Sequence, residues 1–216
     1  AGPPGQAGDV GPVAGALAVV EVGEEVQLES PRRLEALLAA KVPDGWPPGE
    51  YDRPAIEFFR DRLAENPGAE GWYGWYAIER PASGGEAVLV GAGGYFGPPN
   101  AEGVVELGYS VYPEAEGQGY ATEGAQALLE WALAQPGVAR VRATVPTANG
   151  SSVAVARKLG MVPVATREHP EVGEVTVYET PLRAAPWPEI RSSERCSCTT
   201  RAARAAPSRS RALAAG

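Results

Sequence analysis

Residues 104–134 read VVELGYSVYPEAEGQGYATEGAQALLEWALA, and the fold turns on this stretch. Val104 to Val111 has the β-branched and aromatic content of a strand. Gly108 inside it marks a bulge or a close backbone approach. A glycine turn follows, Gly117-Gln118-Gly119-Tyr120-Ala121-Thr122. Beyond it Ala121, Ala125, Leu128, Leu129 and Ala132 recur at helical spacing until Pro136-Gly137 ends the pattern. A strand, glycine turn and helix in this order leave backbone N–H groups unpaired at the positive end of a helix dipole. Glycines there let phosphates approach the backbone without meeting a Cβ. The stretch therefore points to a cofactor carrying a diphosphate.

Downstream, Val138 to Val145 alternates as a short strand. Asn149 is placed to cap a helix whose inner face is Val153, Ala156 and Leu159, with Lys158 in its last turn and Gly160 as the residue that ends it. Three cofactor readings compete for the turn. A P-loop needs a Gly-Lys-Ser/Thr end, which is missing. A dinucleotide fingerprint needs a third glycine where Thr122 stands, and an acidic residue near positions held by Arg140 and Arg142. The third reading is coenzyme A. Here Gly119 and Ala121, then Asn149 and Ser152, then Lys158-Leu159-Gly160-Met161 resemble, in order and spacing, the motifs of the GNAT acetyltransferase superfamily. Glu106-Leu107-Gly108-Tyr109 and the run from Pro113 to Glu123 are most similar to its ribosomal-protein N-terminal acetyltransferase (RimJ/RimL) branch.

That resemblance covers roughly 19–182 and carries several expectations. The fold class is α/β: a GNAT-type mixed, mostly antiparallel central sheet of six to seven strands, flanked by about four helices. Acetyl-CoA is the co-substrate. Backbone groups of Tyr109, Ser110 and Val111 take the pantetheine arm and polarise the thioester carbonyl. Gly117, Gln118, Gly119, Tyr120, Ala121 and Thr122 hold the pyrophosphate, and Asn149 and Ser152 belong to the same site. Glu106 is the expected base and a ligand for the acceptor amine, Ser152 the expected acid, and Trp46 a substrate contact. Two positions depart from the family pattern. Glu116 stands where Arg or Gln is usual, setting a carboxylate beside the pyrophosphate. Ala156 stands where many members carry a tyrosine that protonates the leaving thiolate.

Outward from this centre, Leu17 to Val22 reads as a first strand, and Pro31 to Ala40 and Pro54 to Asn66 as helices, with Ile56, Phe59 and Leu63 on one face of the second. In the superfamily these two helices wall the acceptor site. Trp72 to Glu79 and Ala87 to Tyr95 read as strands, and Met161 to Thr166 with Val172 to Thr180 as a closing hairpin. The single histidine, His169, falls in the connection between the last two. Residues 1–15 are Gly/Pro-rich and 183–216 rich in Ala, Arg and Ser, so both are expected to be disordered around a catalytic domain at 16–182.

Net charge is −8 over 216 residues, but it is uneven. Seven arginines and two glutamates after Leu182 make the tail basic, leaving the body strongly acidic. Such a body disfavours nucleic acid and favours a cationic acceptor. Both cysteines, Cys196 and Cys198, lie in the tail, so no disulfide framework, metal cluster or covalent acetyl-cysteine is expected in the body. The absence of a long apolar run and of a signal pattern suits a cytoplasmic protein that does not engage a membrane. The leading reading is an N-acetyltransferase acting on a small-molecule amine or a protein N-terminus. The alternatives are a coenzyme A-binding GNAT-fold protein without transferase activity, and a dinucleotide-binding domain. By analogy with the superfamily, the final hairpin pairs two copies in a homodimer.

Overall fold

The strand read from Val104–Val111 forms with those bounds, and its two edges behave differently along its length. The computed structural model describes residues 31–182 apart from 50, 70, 82 and 83, together with the backbone of Gly8–Asp9 and Leu17–Glu21. In chain order the elements are β1 (Gly8–Asp9), β2 (Leu17–Glu21), α1 (Pro31–Leu38), α2 (Arg53–Glu65), β3 (Gly74–Glu79) and β4 (Val88–Tyr95). There follow β5 (Val104–Val111), α3 (Tyr120–Ala134), β6 (Arg140–Pro146), α4 (Gly150–Lys158), β7 (Val162–His169) and β8 (Gly173–Glu179).

The strands make one sheet in the order β1-β2-β3-β4-β5-β6-β8-β7. Every neighbouring pair is antiparallel except β5 with β6. This is the mixed, mostly antiparallel α/β fold expected, with four helices among the described residues. The sheet has one strand more than expected. Gly8–Asp9, inside the segment read as structureless, pairs with β2 through Gly8↔Glu21 and Asp9↔Val20. An edge strand exposes unpaired backbone groups that even two residues can satisfy. The rest of 1–15, and all of 183–216 with Cys196 and Cys198, lie outside the described residues.

The parallel pairing of β5 and β6 covers only Val104↔Arg140, Val105↔Val141 and Glu106↔Arg142. Beyond Glu106 the two strands part. β5 stays with β4 as far as Val111, and β6 stays with β8 as far as Pro146. The sheet therefore opens in its middle. No register shift occurs at Gly108, where a bulge was one expectation; the shifts are at Ala77/Ile78, between β3 and β4, and at Pro163/Ala165, between β7 and β8. Gly108 instead meets the other expectation, a close approach: a Cβ there would lie 3.3 Å from the Phe96 ring.

The helices cover opposite faces. α3 and α4 pack on one, burying Ala125, Leu128, Leu129, Ala132, Val155 and Ala156 with Val105, Leu107, Val141 and Val145. Trp75, Tyr95, Trp72 and Trp131 form an aromatic cluster under α3, and Trp75 Nε1 donates to the Gly71 carbonyl at 2.9 Å. On the other face Leu34 and Leu38 of α1 and Ile56 and Phe59 of α2 pack on Tyr76, Ile78 and Leu89.

Candidate active site

The opening between β5 and β6 has a chemical consequence that the register makes explicit. Phe96 N–H donates to the Glu106 carbonyl at 3.1 Å, and Tyr112 N–H to the Val90 carbonyl at 2.8 Å. Antiparallel pairing alternates, so even-numbered β5 residues direct their backbone groups to β4. The backbone groups of Tyr109 and Val111 face the opening, where β6 has turned away. Two of the three backbone positions expected to take the pantetheine arm, Tyr109 and Val111, are therefore free to do so. Ser110 also lines the cleft, but its backbone belongs to the β4 ladder, and its Oγ donates to the Pro48 carbonyl at 3.3 Å.

Below the opening the chain makes a one-turn 3₁₀ helix, Pro113–Ala115, and enters α3 through Gly119. Gly119 has φ +94°, the left-handed region, and no side chain caps the helix. Among the described residues, no protein acceptor takes the backbone N–H of Gln118, Gly119, Tyr120 or Ala121. A Cβ at Gly117 or Gly119 would meet nothing within 4 Å, so the approach to these donors is open. The far wall is α4. Asn149 Oδ1 accepts from Ser152 N–H at 3.0 Å and caps the helix, as expected. Gly160, at φ +71°, closes it, with Met161 N–H on the Ala156 carbonyl and Gly160 N–H on that of Arg157.

Between these elements lies a cleft of about 620 Å³. It gathers Tyr109, Ser110, Val111, Gly117, Gly119, Tyr120, Ala121, Thr122, Asn149 and Ser152, ten of the eleven residues expected to bind the cofactor. Gln118 is exposed and does not line it. Glu116 does, so the carboxylate that departs from the family pattern sits in the cleft wall. Lys158 lines the same cleft and brings a cation that helix position alone did not reveal. Gly49, from the loop before α2, closes one side. The open donors, the two glycines and this volume fit a diphosphate-bearing ligand with a long arm.

Two hydroxyls in the wall are perturbed. The Tyr109 hydroxyl donates to the Ser152 carbonyl at 3.5 Å; burial pushes this phenol up, against a smaller opposing pull from Ser152. Tyr120, the first residue of α3, is raised by burial and then by its hydrogen bond to Glu79.

Glu106 lies outside the cleft lining. It alternates with Val105 and Leu107, which face α3 and α4, so its side chain points to the opposite face of the sheet. There Oε1 accepts from Thr144 Oγ1 at 2.6 Å, across the start of the opening, and Thr144 accepts in turn from Arg167 Nη2 at 3.4 Å. Trp46 is also outside the cleft. It packs among Tyr51 and Tyr76, and its Nε1 is enclosed without a partner. His169 ends β7 rather than sitting in a loop, and its Nδ1 accepts from Glu171 N–H. Among the described residues, no group of three His, Cys, Asp or Glu could hold a metal ion. No described helix is long and apolar enough to cross a membrane.

Known proteins share the family and the fold of this chain. The family model for the acetyltransferase (GNAT) domain matches residues 31–162. The chain is 31% identical over 117 residues to YjdG of Bacillus subtilis (strain 168), described as an uncharacterized N-acetyltransferase; the match spans 54% of this chain and 67% of that one. The ribosomal-protein-S5-alanine acetyltransferase of Vibrio fischeri superposes with a TM-score of 0.56 at 15% identity, covering 79% of this chain and 95% of that one. A chimera of spermidine N-acetyltransferase SpeG from Vibrio cholerae and hSSAT gives 0.52 at 12% identity, covering 77% and 95%. At such identities these two structures speak for the fold alone. The sequence match across more than half of the chain shows that this protein belongs to the GNAT acetyltransferase family and is an N-acetyltransferase.

Proposed function

We propose that the enzyme transfers the acetyl group of acetyl-CoA to a primary amine, a small-molecule amine or a protein N-terminus, by direct attack in a ternary complex. The observation that carries this reading is the cleft where the sheet opens, with unpaired backbone donors at both ends. Acetyl-CoA, the donor this family uses, supplies an activated acetyl thioester. The N–H groups of residues 118–121 hold the pyrophosphate at the helix N-terminus. Those of Tyr109 and Val111 bond the arm and polarise the carbonyl. Lys158 offsets the carboxylate of Glu116.

The two faces divide the work. The cleft lies toward α3 and α4, and Glu106 lies toward the α1 and α2 side, with the opening between them. An amine arriving from the Glu106 side meets the thioester at the opening. Glu106 takes its proton, directly or through one water. No cysteine is among the described residues that line the cleft, so the reading takes direct attack rather than an acetyl-cysteine. The exposed Phe96, beside Gly108 and Phe59, gives this approach an apolar border. The edge strand β7, with Val162 and Val164 exposed, is the surface we assign to a homodimer; light scattering that reads one chain would remove that assignment.

Glu116 and Ala156 favour a second reading, a coenzyme A-binding protein without transfer. Thiol release with acetyl-CoA over a panel of amines and N-terminal peptides separates the two. The enzyme reading expects amine-dependent free thiol. Saturable coenzyme A binding with no release for any amine would leave the second reading standing.

A further inference from the structure

Position 156 is alanine, only 2% exposed and packed in the core, so α4 offers no hydroxyl there. A phenol reaches this helix from the other wall of the cleft. Tyr109 leaves β5 on the α3/α4 face, and its hydroxyl stands 3.5 Å from the carbonyl oxygen of Ser152, one helical turn before Ala156. The same residue turns its backbone N–H into the opening and lines the cleft. Among the hydroxyls of the lining, the others are engaged or weaker acids. Ser110 Oγ donates to Pro48, and the Tyr120 hydroxyl is taken by Glu79. Thr122, Ser151 and Ser152 are aliphatic alcohols, far weaker acids than a phenol.

We propose that Tyr109 is the catalytic acid that protonates the departing thiolate. This rests on the acetyl-transfer reading above. As the new N–C bond forms, the C–S bond breaks and its electron pair passes to sulfur. The phenolic proton moves to sulfur and yields the free thiol. The proton lost by the amine goes to Glu106 and on to solvent, and a proton from solvent restores the phenol. Two further properties suit the role. A 3.5 Å contact is at the outer limit of a hydrogen bond, so the carbonyl does not hold this proton strongly. A phenol, with an ordinary pKa of about 10, is protonated across the neutral range.

The test begins with the wild-type enzyme and an amine that supports thiol release. Tyr109→Phe keeps the ring and its packing while removing the proton. The expected result is a kcat lower by about 10²-fold or more, with the KM for acetyl-CoA and the Kd for coenzyme A retained. A second variant carries 3,5-difluorotyrosine at position 109, which lowers the phenol pKa without changing the fold. Its alkaline limb of kcat moves to lower pH, and that limb is missing from Tyr109→Phe. A Tyr109→Phe enzyme with wild-type kcat, or a difluorotyrosine profile that does not move, overturns the assignment while leaving acetyl transfer intact. A wild-type protein that binds coenzyme A and releases no thiol with any amine overturns the transfer reading, and this assignment with it.

Discussion

Thr144 donates a hydrogen bond to Glu106 and accepts one from Arg167, so the proposed base is held by a residue that is itself held. Replacing Glu106 with Gln keeps that hydrogen bond and removes the base. The expected outcome is a kcat lower by about 10²–10⁴-fold with coenzyme A affinity retained, read by steady-state kinetics beside titration calorimetry. Glu116 makes the opposite prediction. It is exposed and unfavourable to phosphate, so Glu116→Arg tightens coenzyme A about fivefold at low salt, and the gain shrinks as salt rises. Tyr95 predicts a pH effect on stability. Burial raises its pKa well above that of the unfolded chain, where tyrosine titrates at about 10. The folded state therefore binds the proton more tightly, so stability is complete below about pH 10 and falls as pH rises beyond it. Thermal melts should show a Tm that drops above pH 10, and a shallower drop in Tyr95→Phe. At this scale the sequence revealed residues whose type alone carries the chemistry: the glycines of the turn, Asn149 and the foreign Glu116. It did not reveal that Lys158 faces the cleft or that the Tyr109 phenol meets Ser152. Those depend on how elements far apart in the chain are packed.

The elements were easier to read, because each is specified by a local pattern. Asn149 caps α4, Gly160 closes it, and β5 has the bounds its composition predicts. Gly119 is the element-level device of the site, since its left-handed conformation turns four N–H groups outward at the start of α3. Gly119→Val imposes strain of about 1–2 kcal/mol on that turn and sets a side chain where the ligand comes. Calorimetry should find coenzyme A binding weakened at least tenfold. Asn149→Ala removes a cap worth about 1 kcal/mol and leaves Ser152 N–H without its partner, which a denaturant melt reads directly. Gly108 met one of its two expectations, the close neighbour. The edge that the Ser110 backbone serves was not legible. Which of a strand's two edges a residue serves is set by its register with β4, and no local pattern contains that register.

The central feature belongs to the whole molecule. β5 and β6 pair through three residues and then separate, because β4 holds one and β8 the other. Composition and periodicity are silent on strand order, so this opening was not legible in them. Its geometry depends on the packing beneath it, where Trp75, 1% exposed, locks β3 to α3 through Trp131. Trp75→Ala should cost about 3–5 kcal/mol in a denaturant melt. The most direct test of the account is titration calorimetry of the full chain with acetyl-CoA, beside NAD and ATP. The expected result is saturable binding of one acetyl-CoA per chain, sharply weakened in Gly119→Val, and no comparable binding of the other two. No binding at millimolar acetyl-CoA, or equal binding of NAD, would contradict it.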